Sequence, residues 1–540
     1  MLYSKIASAL QEISGSPRGG KADRTAAPLR QAAEEPEMLC PVVRLLTGEL
    51  WPRWEGRVMG IGPEAVAAAL ADLCDIDLSL ERQQKGDMGL VAEAALQHKK
   101  QISLFDQPMD ALFVYDGLRR ISSFKGNDSE ERKIAVLRGL FLLASPLEGK
   151  FIARTALRSM QAGLGPRTMI EALSSALACD RSSLARAFGL MPDLGRIALM
   201  ACLGRLDEVS IQPNLPARFM IYSRRDEFFP APYLPKFPGL RVQVHKAGES
   251  VRIFTSQLRE ISSSLEGLCQ DVGQLKPDFV ADAILIGFVD LPSNKNSARS
   301  RICSLREMLR YINRRRLARK SIIRPALLAY DILAVEGKDI CSMAYTHRRE
   351  RMLEALGLPQ KMPFYGISPA EEQHLKDRGA INDYLRLMKG EGAWGLLSRD
   401  PGGIYRPGEV AKRDFIIRAA NTVSALVLGI EWTKSKSGED RARFLLALRQ
   451  GDALVPAGRV WRTSSDCSCQ PLFQAAAILG RPEGEPQGGI TRILLKISIR
   501  GAEKVGQGWR LINPVIEDYS LNSSMEDVDG LECLDNIGLR

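Results

Sequence analysis

The first 205 residues repeat apolar side chains at the three- and four-residue spacing of amphipathic helices. In one segment Pro63 stands where a helix would begin, and Val66, Leu70 and Leu73 fall on one face of that helix. Segments that alternate apolar and polar residues are almost absent from this region. We therefore expect residues 1–205 to form an all-α domain.

Alternating segments begin after this region. Residues 283–289 and 326–335 have the pattern of strands, and a helical pattern follows around residues 347–356. This mixture is typical of an α/β domain, which we expect to occupy residues 206–420.

The last part of the chain changes to short strands joined by glycine-bearing turns. The predicted strands lie at 424–432, 444–448 and 454–461, with a turn at Gly451. We expect residues 421–540 to form a small β-barrel.

The clearest alternation in the chain predicts a β-hairpin. Val242 and Val244 alternate with polar residues before a turn at Gly248, and Val251 and Ile253 do so after it. We expect two half-buried strands here.

Lys236 stands immediately before this hairpin, in apolar and proline-rich surroundings. Partial desolvation would lower the pKa of its amine and make the amine a better nucleophile. The alternative is a solvated lysine at the edge of a strand, which is the commoner situation. The spacing alone leaves both interpretations open.

Composition adds a broad class. The chain has 540 residues, of which 45% are apolar and 26% charged, so it is globular and long enough for three domains. The net charge of +10 suits a polyanionic partner and suits solubility equally well.

The sequence also indicates a compartment. It contains no run of about 20 apolar residues, as a membrane helix needs, and its start lacks the features of a signal peptide. The 10 cysteines are scattered, and the close pair Cys467 and Cys469 lacks further ligands at zinc-site spacing. We expect a cytoplasmic protein with reduced thiols and no cysteine-based metal site.

Residues 236–246 spell Lys-Phe-Pro-Gly-Leu-Arg-Val-Gln-Val-His-Lys. This stretch resembles the nucleotidyl-transfer motif KYDGxRVQIHK of ATP-dependent DNA ligases of the archaeal and eukaryotic replicative type. Further segments resemble the helical DNA-binding domain and the closing segment of the same family: 43–52, 59–62, 86–93, 144–148, 154–168 and 524–531.

The resemblance covers nearly the whole chain, and it implies three domains. These are an all-α DNA-binding domain, an α/β nucleotidyltransferase (adenylation) domain and a C-terminal β-barrel of the oligonucleotide-binding (OB) fold. It also implies a monomer that encircles nicked double-stranded DNA and uses ATP and Mg²⁺. In this family a lysine takes AMP from ATP, the AMP passes to the 5′-phosphate at a nick, and the 3′-hydroxyl displaces it.

The resemblance also assigns individual residues. Lys236 takes the position of the adenylated lysine, Arg241 that of the arginine beside it, and Tyr330 that of the aromatic residue near the nucleotide. Pro238 replaces the acidic residue of the motif. Five other ATP-site positions lack the family side chain: Leu234, Ser256, Phe288, Val410 and Ile416.

These replacements remove carboxylates that would hold metal ions and cations that would neutralise phosphates. Each such loss typically costs about 10²- to 10³-fold in rate, although several losses do not add simply. Leu234, Phe288, Val410 and Ile416 would instead line the site with hydrocarbon. The leading hypothesis is a ligase-family protein that binds nicked DNA while nick sealing is weak or lost.

An active ATP-dependent DNA ligase, working in replication, recombination and repair, is the main alternative. In that case Asp282, Asp290 or Asp331 would bind the metal, and Arg399 or Arg418 would contact phosphate.

A second alternative is a non-enzymatic scaffold bound to a sliding clamp. The segment Gln101-Ile-Ser-Leu-Phe105 resembles the short glutamine-to-aromatic peptide by which replication enzymes dock on clamps. The competing interpretation is a loop that packs Leu104 and Phe105 on its own domain.

Residues 158–168 have the features of a phosphate contact. Gly163 and Gly165 allow backbone amides to approach a phosphate, Arg158 and Arg167 supply charge, and Thr168 can cap the next helix. A solvated basic connection between helices is the alternative, and the family resemblance favours DNA.

Four basic residues lie in and beside the loop that follows Trp432 in the C-terminal domain: Lys434, Lys436, Arg441 and Arg443. We expect them to track phosphates of the bound DNA.

Overall fold

The structure is a computed structural model. It describes residues 1–100, 108–225, 228–290, 300–313, 323–418, 421–434, 440–451, 453–463, 472, 493–499, 501–505, 508–512, 514–521, 527–531 and 534.

The N-terminal region is helical throughout its described length, as the periodicity predicts. Helix α4 begins at Pro63, and Val66 and Leu70 are fully buried on its inner face. The helices are α1 (Tyr3–Gly15), α2 (Lys21–Ala33), α3 (Pro36–Thr47), α4 (Pro63–Ala71), α5 (Leu78–Lys85), α6 (Met88–Gln97), α7 (Ala111–Ile121), α8 (Ser129–Leu143), α9 (Pro146–Ala156), α10 (Pro166–Leu177), α11 (Arg181–Leu190) and α12 (Leu194–Cys202).

Local sequence signals set several of the helix starts. The side chains of Asp77, Asp87 and Asp110 accept backbone N–H groups at the starts of α5, α6 and α7. Ser145 and Glu148 form a reciprocal capping box at α9. In the part of the chain with described coordinates, none of the helices has the length and apolar character needed to cross a bilayer.

The middle region contains two sheets and four helices, α13 (Glu266–Gly273), α14 (Leu305–Asn313), α15 (Tyr345–Leu356) and α16 (Arg378–Gly390), in its described residues. The strands are β1 (Ile221–Arg224), β2 (Ala231–Lys236), β3 (Leu240–Ala247), β4 (Ser250–Thr255), β5 (Phe279–Asp290), β6 (Ser300–Ile302), β7 (Ile323–Val335), β8 (Lys338–Asp339), β9 (Ile367–Pro369), β10 (Gln373–Leu375), β11 (Gly395–Ser398) and β12 (Val410–Arg418).

One sheet of the middle region has the strand order β4-β3-β5-β7-β8, and the other has the order β1-β12-β11-β2-β10. An apolar cluster that includes Leu234 from β2, Ile286 from β5 and Leu397 from β11 packs between them. Strands β5 and β7 are buried almost end to end because both of their faces are covered. This packing places the end of β2 against the centre of the other sheet.

The predicted hairpin is confirmed, with β3 and β4 joined at Gly248. The expectation that β3 is half-buried is wrong, because Gln243, His245 and Lys246 are all buried. The Gln243 side chain both accepts from the N–H of Ala217 and donates to its carbonyl oxygen. The segment before β1 therefore covers the face of β3 that the alternation assigns to solvent.

The C-terminal region is built from antiparallel strands. Predicted strands lie within β13, β14 and β15, and Gly451 forms the predicted turn with φ of 62°. The sheet order is β15-β14-β13-β16-β19, with β17 and β18 paired separately. The strands are β13 (Asn421–Lys434), β14 (Asp440–Gln450), β15 (Ala453–Thr463), β16 (Leu494–Ile499), β17 (Gly501–Val505), β18 (Gly508–Ile512) and β19 (Val515–Ser520).

The helical region packs directly on the middle region. Arg218 donates its backbone N–H to the carbonyl oxygen of Gly189, at 2.8 Å. A Cβ atom on Gly189 would lie 2.1 Å from the carbonyl oxygen of Pro407. The absence of a side chain at Gly189 therefore permits this contact between the two regions.

Two glycine-to-alanine substitutions test this contact. We expect Gly189→Ala to lower the free energy of unfolding by about 1–3 kcal/mol, because the added methyl group forces the backbone of Pro407 to move. Gly139→Ala is the control, since Gly139 lies exposed within α8 and its Cβ would meet nothing within 4 Å. We expect this control to gain up to about 1 kcal/mol of stability in denaturant unfolding. Equal effects of the two substitutions would contradict the close contact.

Candidate active site

Lys236 is the last residue of β2 and is only 8% exposed. Its Nζ lies 4.7 Å from the centroid of the Tyr330 ring. The Tyr330 hydroxyl donates to the carbonyl oxygen of Pro235 at 2.8 Å, which fixes the ring against this end of the strand. The prediction of an apolar setting for Lys236 is confirmed.

Its surroundings change the protonation of the Lys236 amine. Burial and, to a smaller degree, the positive charge of Arg241 lower the pKa of Lys236 to about 7, against an opposing effect of Asp282. Across the part of the chain that the structure describes, the amine has no ion pair or hydrogen bond. A large fraction of this lysine is therefore uncharged at neutral pH.

Each of the three guanidinium nitrogens of Arg241 donates a hydrogen bond. Its Nε and Nη2 donate to the two carboxylate oxygens of Asp282 at 3.0 and 2.5 Å, and its Nη1 donates to the carbonyl oxygen of Met220 at 2.8 Å. The Tyr405 hydroxyl also donates to Asp282, at 2.9 Å. Although burial opposes the charge, Asp282 raises the pKa of Arg241, so the guanidinium stays protonated.

A second group of charges is centred on Asp331. Arg348 donates to both of its carboxylate oxygens at 2.8 and 2.9 Å, and Arg399 donates to one of them. Arg399 is also 3.4 Å from Asp414, and it donates to the Tyr222 hydroxyl at 2.8 Å. Burial opposes charge on Asp331, but Arg348 and Arg399 outweigh it and lower the pKa of Asp331.

Tyr222 joins these two groups, since Arg241 and Arg399 lie 4.6 and 5.7 Å from the centroid of its ring. We call the combined set the ion-pair cluster. It contains three guanidinium groups and three carboxylates: Arg241, Arg348, Arg399, Asp282, Asp331 and Asp414. Each guanidinium in it has a carboxylate partner.

The family positions that lack the family side chain fall in different environments. Leu234 and Phe288 belong to the buried cluster between the sheets, and the Phe288 ring packs on Phe364 with 5.7 Å between centroids. Ile416 is half-buried in β12. Val410 is 57% exposed, so the expectation that it helps to line an apolar site is wrong. Ser256 is also exposed, and it follows β4.

Ile284 is a further residue of the apolar cluster between the sheets that the sequence motif does not point to. Its Cγ2 lies 2.4 Å from the position that a Cβ on Gly239 would occupy, and that of Ile286 lies 3.2 Å away. Ile284 pairs with Arg241 across β5 and β3. The register of these two strands is the signal that could have located it.

The residues proposed as compensating groups are already engaged. Asp282, Asp331 and Arg399 belong to the ion-pair cluster. Asp290 lies at an exposed edge and accepts from Arg324 at 2.6 Å. The side chain of Arg418 lies outside the described residues.

Mg²⁺ requires oxygen ligands, usually including carboxylates. Within the described residues, no group of three His, Cys, Asp or Glu side chains is placed to hold a metal ion. Asp282, the aspartate whose charge acts on Lys236, already accepts hydrogen bonds from Arg241 and Tyr405. Lys236 is suited to attack an electrophile, but the described residues do not fit Mg²⁺ bound to a triphosphate.

Arg158 is exposed in the connection between α9 and α10, and Arg167 is exposed in the first turn of α10. Arg158 and Gly163 have φ of 55° and 68°, and Lys21 donates to the carbonyl oxygen of Ala162 at 2.6 Å. The proposed capping role of Thr168 is wrong, because α10 is capped by Gly165 without a side-chain hydrogen bond. Pro166 occupies the first helical position, so Thr168 lies inside the helix.

Lys436 and the clamp-like segment 101–105 lie outside the described residues, as does the side chain of Lys434.

Comparison with known proteins identifies the class. Residues 2–174 match the family model described as DNA ligase N terminus, and residues 219–415 match the model described as ATP dependent DNA ligase domain. Lys236, Arg241 and the ion-pair cluster all lie within the second match. The chain belongs to the ATP-dependent DNA ligase family.

Its relatives are archaeal enzymes. A DNA ligase of Thermococcus fumicolans is 26% identical and covers 92% of this chain and 91% of its own length. One from Methanothermobacter thermautotrophicus is 25% identical, with coverage of 98% and 96%. One from Pyrobaculum arsenaticum is 26% identical, with coverage of 84% and 80%.

The pKa of Lys236 predicts a pH-dependent stability difference. Between about pH 7 and pH 10.4 the unfolded chain binds a proton at this residue that the folded chain has released. Stability therefore rises with pH in this window, by up to about 1.4 kcal/mol per pH unit. Lys236→Met lacks this rise, so we expect its stability advantage over the parent to be largest near pH 7 and to shrink toward pH 9.

Denaturant unfolding at several pH values measures this difference. Lys412→Met is the control for replacing an exposed lysine by methionine. A constant difference for Lys236→Met would contradict the lowered pKa.

The ion-pair cluster predicts a large effect of Asp331→Asn. The substitution preserves shape but leaves two buried arginines short of a carboxylate, and we expect a loss of about 3–5 kcal/mol. Asp290→Asn removes an exposed partner of Arg324 and should change stability by less than about 1 kcal/mol. Chemical denaturation of both variants measures the contrast, and a loss below about 1 kcal/mol for Asp331→Asn would show that the cluster does not form.

Proposed function

We propose that this protein binds nicked duplex DNA through its helical and C-terminal regions, and that its ATP-dependent nick sealing is weak or lost. Members of its family seal nicks with ATP. Their covalent intermediate forms on a lysine, and Lys236 takes the position of that lysine in the motif. The proposal includes the domain limits 1–205, 206–420 and 421–540, and an OB fold for the last of these.

The ion-pair cluster is the main observation that supports the proposed loss of activity. Phosphoryl chemistry needs cations aimed at the phosphate oxygens, where charge develops. Arg399, one of the candidate phosphate contacts, is fully buried and is held by Asp331 and Asp414. Turning it toward a phosphate would leave both carboxylates buried without this partner, which is costly.

The apolar wall near Lys236 supports the same conclusion. Leu234 and Ile284 lie in the buried cluster on this side of the sheet, with Leu234 fully buried and Ile284 2% exposed. Charged phosphates placed against such a wall would lose hydration without gaining partners. Because each missing charged group typically costs about 10²- to 10³-fold, several together would reduce lysine adenylation far below a useful rate.

Binding of duplex DNA is proposed from the connection between α9 and α10. Exposed Arg158 and the exposed glycines of this connection, together with Arg167 in the first turn of α10, offer charge and backbone N–H groups to phosphates. In the C-terminal region, Trp461 is 37% exposed and stacks under Arg441 and Arg443, with 4.4 and 4.5 Å to the ring centroid. Such a surface can contact both the backbone and the bases of a nucleic acid. Lys434 and Lys436 are proposed to add further phosphate contacts to it.

The second candidate function is an active ATP-dependent ligase. The specific observation in its favour is the pKa of Lys236, about 7, since an uncharged amine is the form that attacks the α-phosphate. Both candidates share the nucleophile and differ in whether ATP and Mg²⁺ are held beside it.

Incubation with α-labelled ATP and Mg²⁺ separates these two functions. We expect no labelled protein above the background of a Lys236→Ala variant, under conditions in which an archaeal relative is labelled completely. A Lys236-dependent protein–AMP adduct would establish the active enzyme and overturn the proposed loss.

DNA binding is tested by titrating nicked duplex at several salt concentrations. We expect affinity to fall steeply with salt. The double variant Arg158→Ala/Arg167→Ala should bind more weakly, and its salt slope should fall by about 1 for each phosphate that the protein no longer neutralises. Arg205→Ala, which removes an exposed arginine paired with Glu208, is the control. Absence of binding at low salt would remove the DNA-binding proposal.

A further inference from the structure

Arg218 is a half-buried arginine without a carboxylate partner. Its guanidinium carbon lies 5.3 Å from the centroid of the Phe188 ring. Within the described residues its side chain forms no ion pair and no hydrogen bond, and burial lowers its pKa with no anionic group acting in the opposite direction. Each guanidinium of the ion-pair cluster, by contrast, has a carboxylate. Arg218 therefore keeps a positive charge that the described part of the protein does not neutralise.

Arg218 lies where the helical region and the middle region meet. Phe188 and Gly189, which contact its side chain and its backbone N–H, both belong to α11. On the other side, Gly408 lies in the turn before β12 with φ of 82°, and a Cβ there would lie 3.2 Å from Cδ and 3.4 Å from Nε of Arg218. Position 218 is outside both ranges that match the family models, 2–174 and 219–415. The two regions together thus hold the guanidinium at their junction.

The backbone around Arg218 is fixed on both sides. The Gln243 side chain holds the backbone N–H and carbonyl oxygen of Ala217 at 3.0 and 2.8 Å. The Tyr405 hydroxyl accepts from the N–H of Met220 at 3.1 Å. Because this backbone is already ordered, a ligand that binds Arg218 costs less conformational entropy than one that must order a mobile loop.

The guanidinium of Arg218 is accessible to a ligand. Its nitrogens have no partner within the described residues, yet none of them is among the fully buried side-chain nitrogen and oxygen atoms that lack one. They therefore retain exposed surface. A guanidinium offers a planar fork of N–H donors that matches two oxygens of one phosphate, and the Phe188 ring supports it from below.

We propose that Arg218 binds a backbone phosphate of duplex DNA, so that the junction between the helical and middle regions is part of the DNA-binding surface. The inference rests on the proposed binding of nicked duplex. A duplex carries phosphates at short, regular intervals along both strands, so it supplies the counter-charge without any contact to a base.

Titration of nicked duplex at several salt concentrations tests the inference with the full-length protein. Arg218→Met and Arg218→Gln both remove the charge, and methionine keeps an apolar chain that can pack on Phe188. Arg218→Lys keeps the charge without the planar fork. Arg186→Met is the matched control, because Arg186 is an exposed arginine of α11 that is paired with Asp207 at 3.2 Å. Urea unfolding of every variant is measured in parallel.

We expect both uncharged variants of Arg218 to bind about ten-fold more weakly and to have a salt slope lower by about 1. Arg218→Lys should keep the slope of the parent, and Arg186→Met should keep both affinity and slope. The urea midpoint of Arg218→Met should equal or exceed that of the parent, because no described carboxylate loses a partner. A purely structural arginine would instead lower the midpoint and leave the salt slope unchanged.

Unchanged affinity and slope in the uncharged variants of a parent that binds would overturn the inference and leave the proposed DNA binding intact. A lower urea midpoint with unchanged binding would show that an anionic group of the protein itself is the partner of Arg218. An equal loss of affinity in Arg186→Met would show a general effect of charge, and it would also overturn the inference. Failure of the parent to bind at low salt would remove the proposed function and this inference together.

Discussion

The structure depends on the neutralisation of buried charge between its two central sheets. An ionised group removed from water is strongly destabilising unless an opposite charge and hydrogen bonds replace its hydration. Here three arginines and three aspartates satisfy this requirement together. They come from four strands, from helix α15 and from the position after β11: Arg241, Asp282, Asp331, Asp414, Arg348 and Arg399. The ion-pair cluster therefore holds these elements in one arrangement.

The same constraint determines which chemistry is open to the site. Arg399 is fully buried and lies 3.4 Å from Asp414 as well as against Asp331. Its charge is therefore balanced by carboxylates of the protein itself. Lys236 lies outside this pairing and keeps a reactive amine, while the cations that would assist phosphate transfer are neutralised.

Much of the fold was predictable because it depends on local pattern. The helical period, the Pro63 helix start and the hairpin turn at Gly248 are encoded within a few residues. Burial of Gln243 was not predictable in this way, because the chain segment at Ala217 that covers it is 26 residues distant. Periodicity shows where polar residues recur along the chain. It cannot show which distant backbone groups form hydrogen bonds with them.

The site was predictable only in part for a similar reason. Lys236, Arg241 and Tyr330 follow from a contiguous motif and a family register. The pairing of Arg241 with Asp282 spans 41 residues, and that of Arg399 with Tyr222 spans 177. The sequence shows that charged residues exist at these positions, whereas only the folded arrangement shows that they neutralise one another.

The central claim is that these guanidinium groups are not available to phosphates. Calorimetric titration with a non-hydrolysable ATP analogue and Mg²⁺ measures this most directly, because it requires no chemical step. The account predicts no saturable binding at millimolar nucleotide. Saturable binding at micromolar concentration that is lost in a Lys236→Ala variant would contradict it.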